Sequence, residues 1–174
     1  MKHNFTAAYE NVLLRPTLET DIESLRLWRN DPSNTAYLRP IPPVTREQQA
    51  AWFRTTEEKE NEYLFTIVET RELQAPVGSL SLYGITDRDA EFGRFLIGEP
   101  RAHGKKVGQN ALHAALLVAF EKLGLSRVHL TVYKNNVPAI KVYSAVGFRT
   151  VGECGTGDAS EWLMEITKER FSKI

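Results

Sequence analysis

The residues from 96 to 112 read LIGEPRAHGKKVGQNAL, an apolar segment running into a basic glycine loop that opens a helix. Such a segment can hold a pyrophosphate. Glycine lets the backbone approach phosphate oxygens, and a helix's first turn offers free N–H groups at the positive end of its dipole. Gly104 and Gly108 supply that permissiveness, and Arg101, His103, Lys105 and Lys106 surround it with positive or protonatable side chains. Gly and Lys before a helix also mark an ordinary surface turn, so the segment by itself leaves both readings open. His3, His103, His113, His129 and the lone Cys154 show no metal-ligand spacing, and no metal is expected. His113 sits in an apolar helix and is expected to be packed there.

The 174 residues are enough for one ordinary domain with a sizeable core, and one domain is expected over 1–174. Lys and Arg together number 22, as do Asp and Glu, so nothing in the overall balance points to nucleic acid or an anionic membrane. One cysteine excludes an internal disulfide framework, and MKHNFTAAYENVLL lacks the apolar core of a signal peptide. A cytoplasmic location is the expectation. The longest apolar stretch, residues 111–120, is interrupted by His113 and falls short of the roughly 20 residues that span a bilayer.

Val12 to Arg15 reads as a short strand ending at Pro16. Thr20 and Glu23 have the spacing of a capping box that starts a helix reaching about Asn30. RPIPPV forms an irregular loop, and Thr45 with Gln48 is a second capping box, opening a helix to about Lys59. From Tyr63 the period becomes that of strands: 63–69, 77–85 and 90–97, separated by the turns Gln74-Ala75-Pro76 and Asp87-Arg88-Asp89. A helix from Val107 to Leu123, closed by Gly124, then leads to a strand at 127–133. A short helix from about Pro138 and strands near Thr150 and Trp162 complete the chain. The strand–helix–strand order in the second half implies one parallel pair inside an otherwise antiparallel sheet.

A second segment, VYKNNVPAIKVYSAVGF at 132–148, joins the first in resembling motifs A and B of the GNAT superfamily of acetyl-CoA-dependent N-acetyltransferases. Asn136, Ala139, Ile140, Tyr143, Gly147 and Phe148 match N-x-x-A/S-I-x-x-Y followed by G-F. The pyrophosphate motif R/Q-x-x-G-x-G/A matches less well, with His103 at the Arg/Gln position and Lys106 at the middle Gly. A Lys there requires a helical conformation or some strain. The resemblance spans about residues 10 to 168. It implies a mixed α/β (α+β) fold: a mostly antiparallel sheet of six to seven strands whose central parallel pair splays for the coenzyme arm, flanked by about four helices.

The resemblance also implies roles. Acetyl-CoA would be the cosubstrate and a primary amine the acceptor, in a monomer or homodimer that needs neither nucleic acid nor membrane. Tyr143 would protonate the departing thiolate, although a half-buried aromatic packed beside Val142 and Val146 is the alternative. Glu91 would accept the amine's proton; Asp87, Asp89 or water could serve instead. Phe95, Leu96 and Ile97 would offer backbone to the pantetheine arm, and His103, Gly104, Lys105, Lys106, Val107 and Gly108 would meet the phosphates. Asn136 and Ala139 would hold the arm. Acceptor choice would fall to Trp28, Arg29 and Asn30, with Arg39 and Trp52. The run Trp28-Arg29-Asn30-Asp31 resembles amino-sugar acetyltransferases, whereas the whole-chain layout resembles ribosomal-protein N-terminal acetyltransferases. A binding module that senses acyl-CoA without turnover is the reading of another class. A P-loop hydrolase is excluded, because no G-x-x-x-x-G-K-S/T occurs.

Overall fold

The structure, a computed structural model, describes residues 3–35, 42–157 and 160–174. Eight strands form one sheet: β1 (Ala7–Tyr9), β2 (Val12–Pro16), β3 (Glu62–Glu69), β4 (Ala75–Tyr83), β5 (Asp89–Ile97), β6 (Arg127–Tyr133), β7 (Arg149–Cys154) and β8 (Glu161–Thr167). They lie in the order β1-β2-β3-β4-β5-β6-β8-β7, and every pairing is antiparallel except β5 with β6. The sheet has one strand more than expected. β1 is only three residues long, too short to carry a periodic signal, and is paired by a turn through Glu10 at φ +52°. The helices are α1 (Ile22–Asn30), α2 (Arg46–Glu58), α3 (Val107–Leu117), α4 (Val137–Ala145) and α5 (Lys168–Phe171). The four-residue α5 was not anticipated.

The Thr45–Gln48 capping box forms as its spacing predicts: Gln48 N–H donates to Thr45 Oγ1 at 3.2 Å and Thr45 N–H to Gln48 Oε1 at 2.9 Å. The Thr20–Glu23 box does not form. A 3-10 turn over Glu19–Asp21 precedes α1, and Asp21 accepts from Leu18 N–H at 2.8 Å and from both Arg15 terminal nitrogens at 2.6 and 2.8 Å. Glu23 turns instead to Arg26 and Arg46. The cap thus forms earlier, between Leu18 N–H and Asp21, and Arg15 adds a charge-assisted fork to the same carboxylate. α3 also ends early, since Val118–Lys122 widens into a π turn before Gly124 closes it at φ +71°. β4 starts two residues before the expected Val77, and Pro76 is tolerated because it adjoins a bulge in β4, where Val77 is the extra residue between the Ile67–Gly78 and Val68–Pro76 pairs.

The core follows strand alternation. Phe65, Ile67, Leu80, Leu82, Phe92, Val128 and Leu130 join the buried cluster containing Ala111, Leu112, Ala115 and Leu116 of α3. On the other side of β3, Leu64 packs with Leu25 of α1 and Phe53 of α2, supported by Trp28 and Trp52. α1 and α2 therefore stand over one side of the sheet and α3 over the other. The parallel pairing of β5 and β6 covers only Asp89, Ala90 and Glu91 against Arg127, Val128 and His129. Beyond Glu91 the two strands part.

Candidate active site

The fork between β5 and β6 opens into a cleft of about 1070 Å³. Glu91, Phe92, Gly93, Arg94, Phe95 and Leu96 of β5 and Thr131, Val132 and Tyr133 of β6 line it, as do Asn136, Tyr143, Glu161 and residues of α1 and α2. A strand that has lost its neighbour exposes backbone N–H and C=O groups that need a partner, and an extended amide-bearing chain supplies one. A register shift between Ser79 and Ser81 marks a bulge opposite, where Arg94 of β5 adopts φ +48°.

Tyr143 is 8% exposed, with its ring among Phe92, Phe95 and Phe148 at centroid distances of 6.1, 6.5 and 6.0 Å. Burial pushes its phenol well up from the ordinary tyrosine range, so the group stays protonated through neutral pH. α4 is opened by Asn136, whose Oδ1 accepts from Ala139 N–H at 3.2 Å, with Pro138 in the first turn. That cap fixes the Asn136 side chain at the cleft wall, while Ala139 packs against the core.

Glu91 occupies the last paired position before the fork and accepts a 2.7 Å hydrogen bond from Tyr83 Oη. The Tyr83 ring lies across Gly93, where a Cβ would sit 2.6 Å from the phenol oxygen. Above the same ring lies the Arg94 guanidinium, 4.8 Å from its centroid and 5.6 Å from that of Trp52. Arg94 Nη1 pairs with Glu62, whose side chain is 4% exposed, and Glu62 also receives Lys59 Nζ at 3.0 Å. Asp89 is held by Arg127 at 2.7 Å and points its charge into that pair.

The basic loop lies beyond the fork. Gly104 has φ +77° and Lys106 adopts the left-handed conformation, φ +58° and ψ +12°, at the N-cap of α3. Strain, the second of the two outcomes expected for Lys106, is what the backbone takes. Asn110 N–H is bonded to Lys106 O at 2.9 Å, leaving the preceding first-turn N–H groups of Val107, Gly108 and Gln109 without intrahelical acceptors. Gly108 faces Phe95 and Ile97 of β5, with ordinary contact distances for an added Cβ. His103 Nε2 lies 3.0 Å from Ile97 O, and Lys105 Nζ pairs with Glu72. The loop is tied from behind by Asn11, which donates to Lys105 O at 3.4 Å and accepts from Asn110 at 2.7 Å.

The proposed acceptor residues divide. Arg29 lines the cleft. Trp28 packs so tightly on Gly98 that a Cβ there would lie 2.1 Å from its Cγ, and Asn30 spends both ends of its amide on Val44, at 2.8 and 2.9 Å. Arg39 falls outside the described residues. Arg94, Tyr83, Glu62 and Glu161 were not singled out from the sequence. Their only sequence signal is strand alternation, which puts Tyr83 and Glu91 on one side of the sheet once the β4–β5 register is known.

The sequence profile described as "Acetyltransferase (GNAT) domain" matches residues 11–149. The "Uncharacterized protein MJ1062" of Methanocaldococcus jannaschii is 24% identical over 157 residues; the match covers 89% of this chain, which spans only 31% of that longer protein. "Acetyltransferase PseH" of Campylobacter jejuni is 24% identical over 133 residues, covering 76% of this chain and 80% of the relative. Spermidine N-acetyltransferase from Vibrio cholerae, solved with CoA and spermine, superposes with a TM-score of 0.81 at 20% identity, covering 93% of this chain and 98% of that one. The profile match runs from the β1–β2 turn to the start of β7 and so takes in the fork, the loop and α4 together: the chain belongs to the GNAT acetyltransferase family.

Proposed function

We propose that this chain transfers an acetyl group from acetyl-CoA to a primary amine by direct attack in a ternary complex. The observation that carries the reading is the convergence of a carboxylate, Glu91, and a buried, protonated phenol, Tyr143, on the cleft where β5 and β6 part. The open β5 edge fits the amides of a pantetheine arm, and the first turn of α3 with its left-handed Lys106 fits a pyrophosphate. The amine nitrogen forms the new C–N bond at the thioester carbonyl, the C–S bond breaks, Glu91 takes the amine's proton directly or through water, and Tyr143 protonates the thiolate. Backbone N–H groups of β5 at Phe95 to Ile97 stabilise the oxyanion. One cysteine fits a reducing compartment such as the cytoplasm.

Calorimetric titration with acetyl-CoA, followed by thiol release on addition of amino sugars, polyamines and peptides, tests the proposal. Binding with release for one class supports the transferase and names its acceptor. Binding without release across the panel favours the acyl-CoA sensor, and no binding rejects both.

A further inference from the structure

We propose that Arg94 is the acceptor's anion-binding residue, so that this enzyme acts on amines whose molecule also carries a phosphate or carboxylate, in preference to polycations. The inference rests on the transferase reading above, to which it adds the class of acceptor. Five features of Arg94 support it. It lines the cleft and its side chain is 33% exposed, so a ligand reaches it. It sits at φ +48° in a bulge at the fork, a conformation that costs a non-glycine residue energy and that the surrounding structure must enforce.

Its guanidinium is also immobilised before any ligand arrives, between Trp52 and Tyr83 and by Nη1 to Glu62 and Ser81 Oγ. Among the described residues, Nε and Nη2 have no hydrogen-bond partner, so the edge that makes a bidentate fork with an anion is left over. Finally, Glu62 does not cancel the charge, because Lys59 shares that carboxylate and the trio keeps a net positive charge. Tyr83 links this anion site to the base, its ring under Arg94 and its hydroxyl on Glu91. An acceptor thus meets a cation for its anionic group and a carboxylate for its amine around one phenol.

Matched amines differing only in the anion test this: glucosamine against glucosamine 6-phosphate, and the amide of alanylalanine against its free acid, with spermidine as the polycation. Two readouts are taken on the wild type, Arg94→Gln and Arg94→Lys: calorimetric affinity in the presence of CoA, and kcat/KM for thiol release from acetyl-CoA. The anionic member of at least one pair should be favoured about tenfold to a hundredfold, the worth of one charge-assisted hydrogen bond. That ratio should collapse toward one in Arg94→Gln and recover in part in Arg94→Lys. A ratio within one preparation is independent of the folded fraction, so poor folding of a variant leaves it readable. The phosphate pair and the carboxylate pair separate the two sources of the anion. Equal affinities within both pairs, preference for spermidine, or a ratio unmoved by Arg94→Gln overturns the Arg94 assignment while leaving transfer standing. Anion-selective binding without thiol release keeps the Arg94 site and rejects the transferase.

Discussion

Gly93 has no side chain because the Tyr83 ring occupies the space above it, and alanine at this position gives a sharp perturbation of the site. The added Cβ would lie 2.6 Å from Tyr83 Oη and 2.9 Å from its Cε1, both inside contact distance, so the ring must move. Moving it breaks the 2.7 Å hydrogen bond to Glu91 and the 4.8 Å stacking under Arg94. A hydrogen bond to a charged group is worth about 1.5–3 kcal/mol and an exposed cation–π contact about 0.5–1 kcal/mol. Both partners are only partly buried, so the lower ends apply and Gly93→Ala should cost about 2 kcal/mol. Urea unfolding measures it. Tyr83→Phe keeps the ring and the stack but loses the hydroxyl, and should cost about 1.5 kcal/mol, slightly less than Gly93→Ala. In an active enzyme both variants should lower kcat while leaving acetyl-CoA affinity within about twofold, because neither touches the α3 loop. A Gly93→Ala protein within about 0.5 kcal/mol of wild type, with turnover intact, would refute the chain of contacts from Gly93 through Tyr83 to Glu91.

Other outcomes follow from the same geometry. Tyr143→Phe should cut kcat by about a hundredfold or more with stability nearly unchanged, since its ring contacts survive; stopped-flow thiol release reads this, and an unchanged rate removes Tyr143 from the acid role. Glu91→Gln should lower kcat about a hundredfold at neutral pH with acetyl-CoA affinity nearly unchanged, and an unchanged kcat moves the base elsewhere or to solvent. Burial opposes ionisation of Asp21, but Arg15, the Leu18 N–H and Thr66 outweigh it and hold the carboxyl below its usual range. Its contribution is therefore present at neutral pH and is lost as pH falls below about 4, and Asp21→Ala should cost about 3 kcal/mol in denaturant melts at pH 7. Burial also lowers the pKa of His113, stacked on Tyr9 with ring centroids 3.7 Å apart. Because the unfolded chain takes up that proton first, stability should fall with acidification below about pH 6.5, and less steeply in His113→Phe.

Local chemistry made the elements legible in the sequence. Seven of the eight strands were legible, three of them by their period, the Thr45–Gln48 spacing marked the start of α2, and Gly124 the end of the long helix, because each signal is carried by residues adjacent in the chain. The Asn-x-x-Ala-Ile-x-x-Tyr run behaved likewise, since Asn136 caps the very helix that carries Tyr143. Only the tertiary structure decided what depends on register and burial. Asp21 caps the turn at Leu18 and takes Arg15 of β2 on the same carboxylate, and Trp28 and Asn30, neighbours of the cleft-lining Arg29 on α1, are spent on Gly98 and Val44. Tyr83 meets Glu91 only through the β4–β5 pairing, and the bulge that puts Arg94 over both Tyr83 and Trp52 is a one-residue slip between two strands. A one-residue slip changes which side chains share a face, and no composition or spacing within either strand announces it.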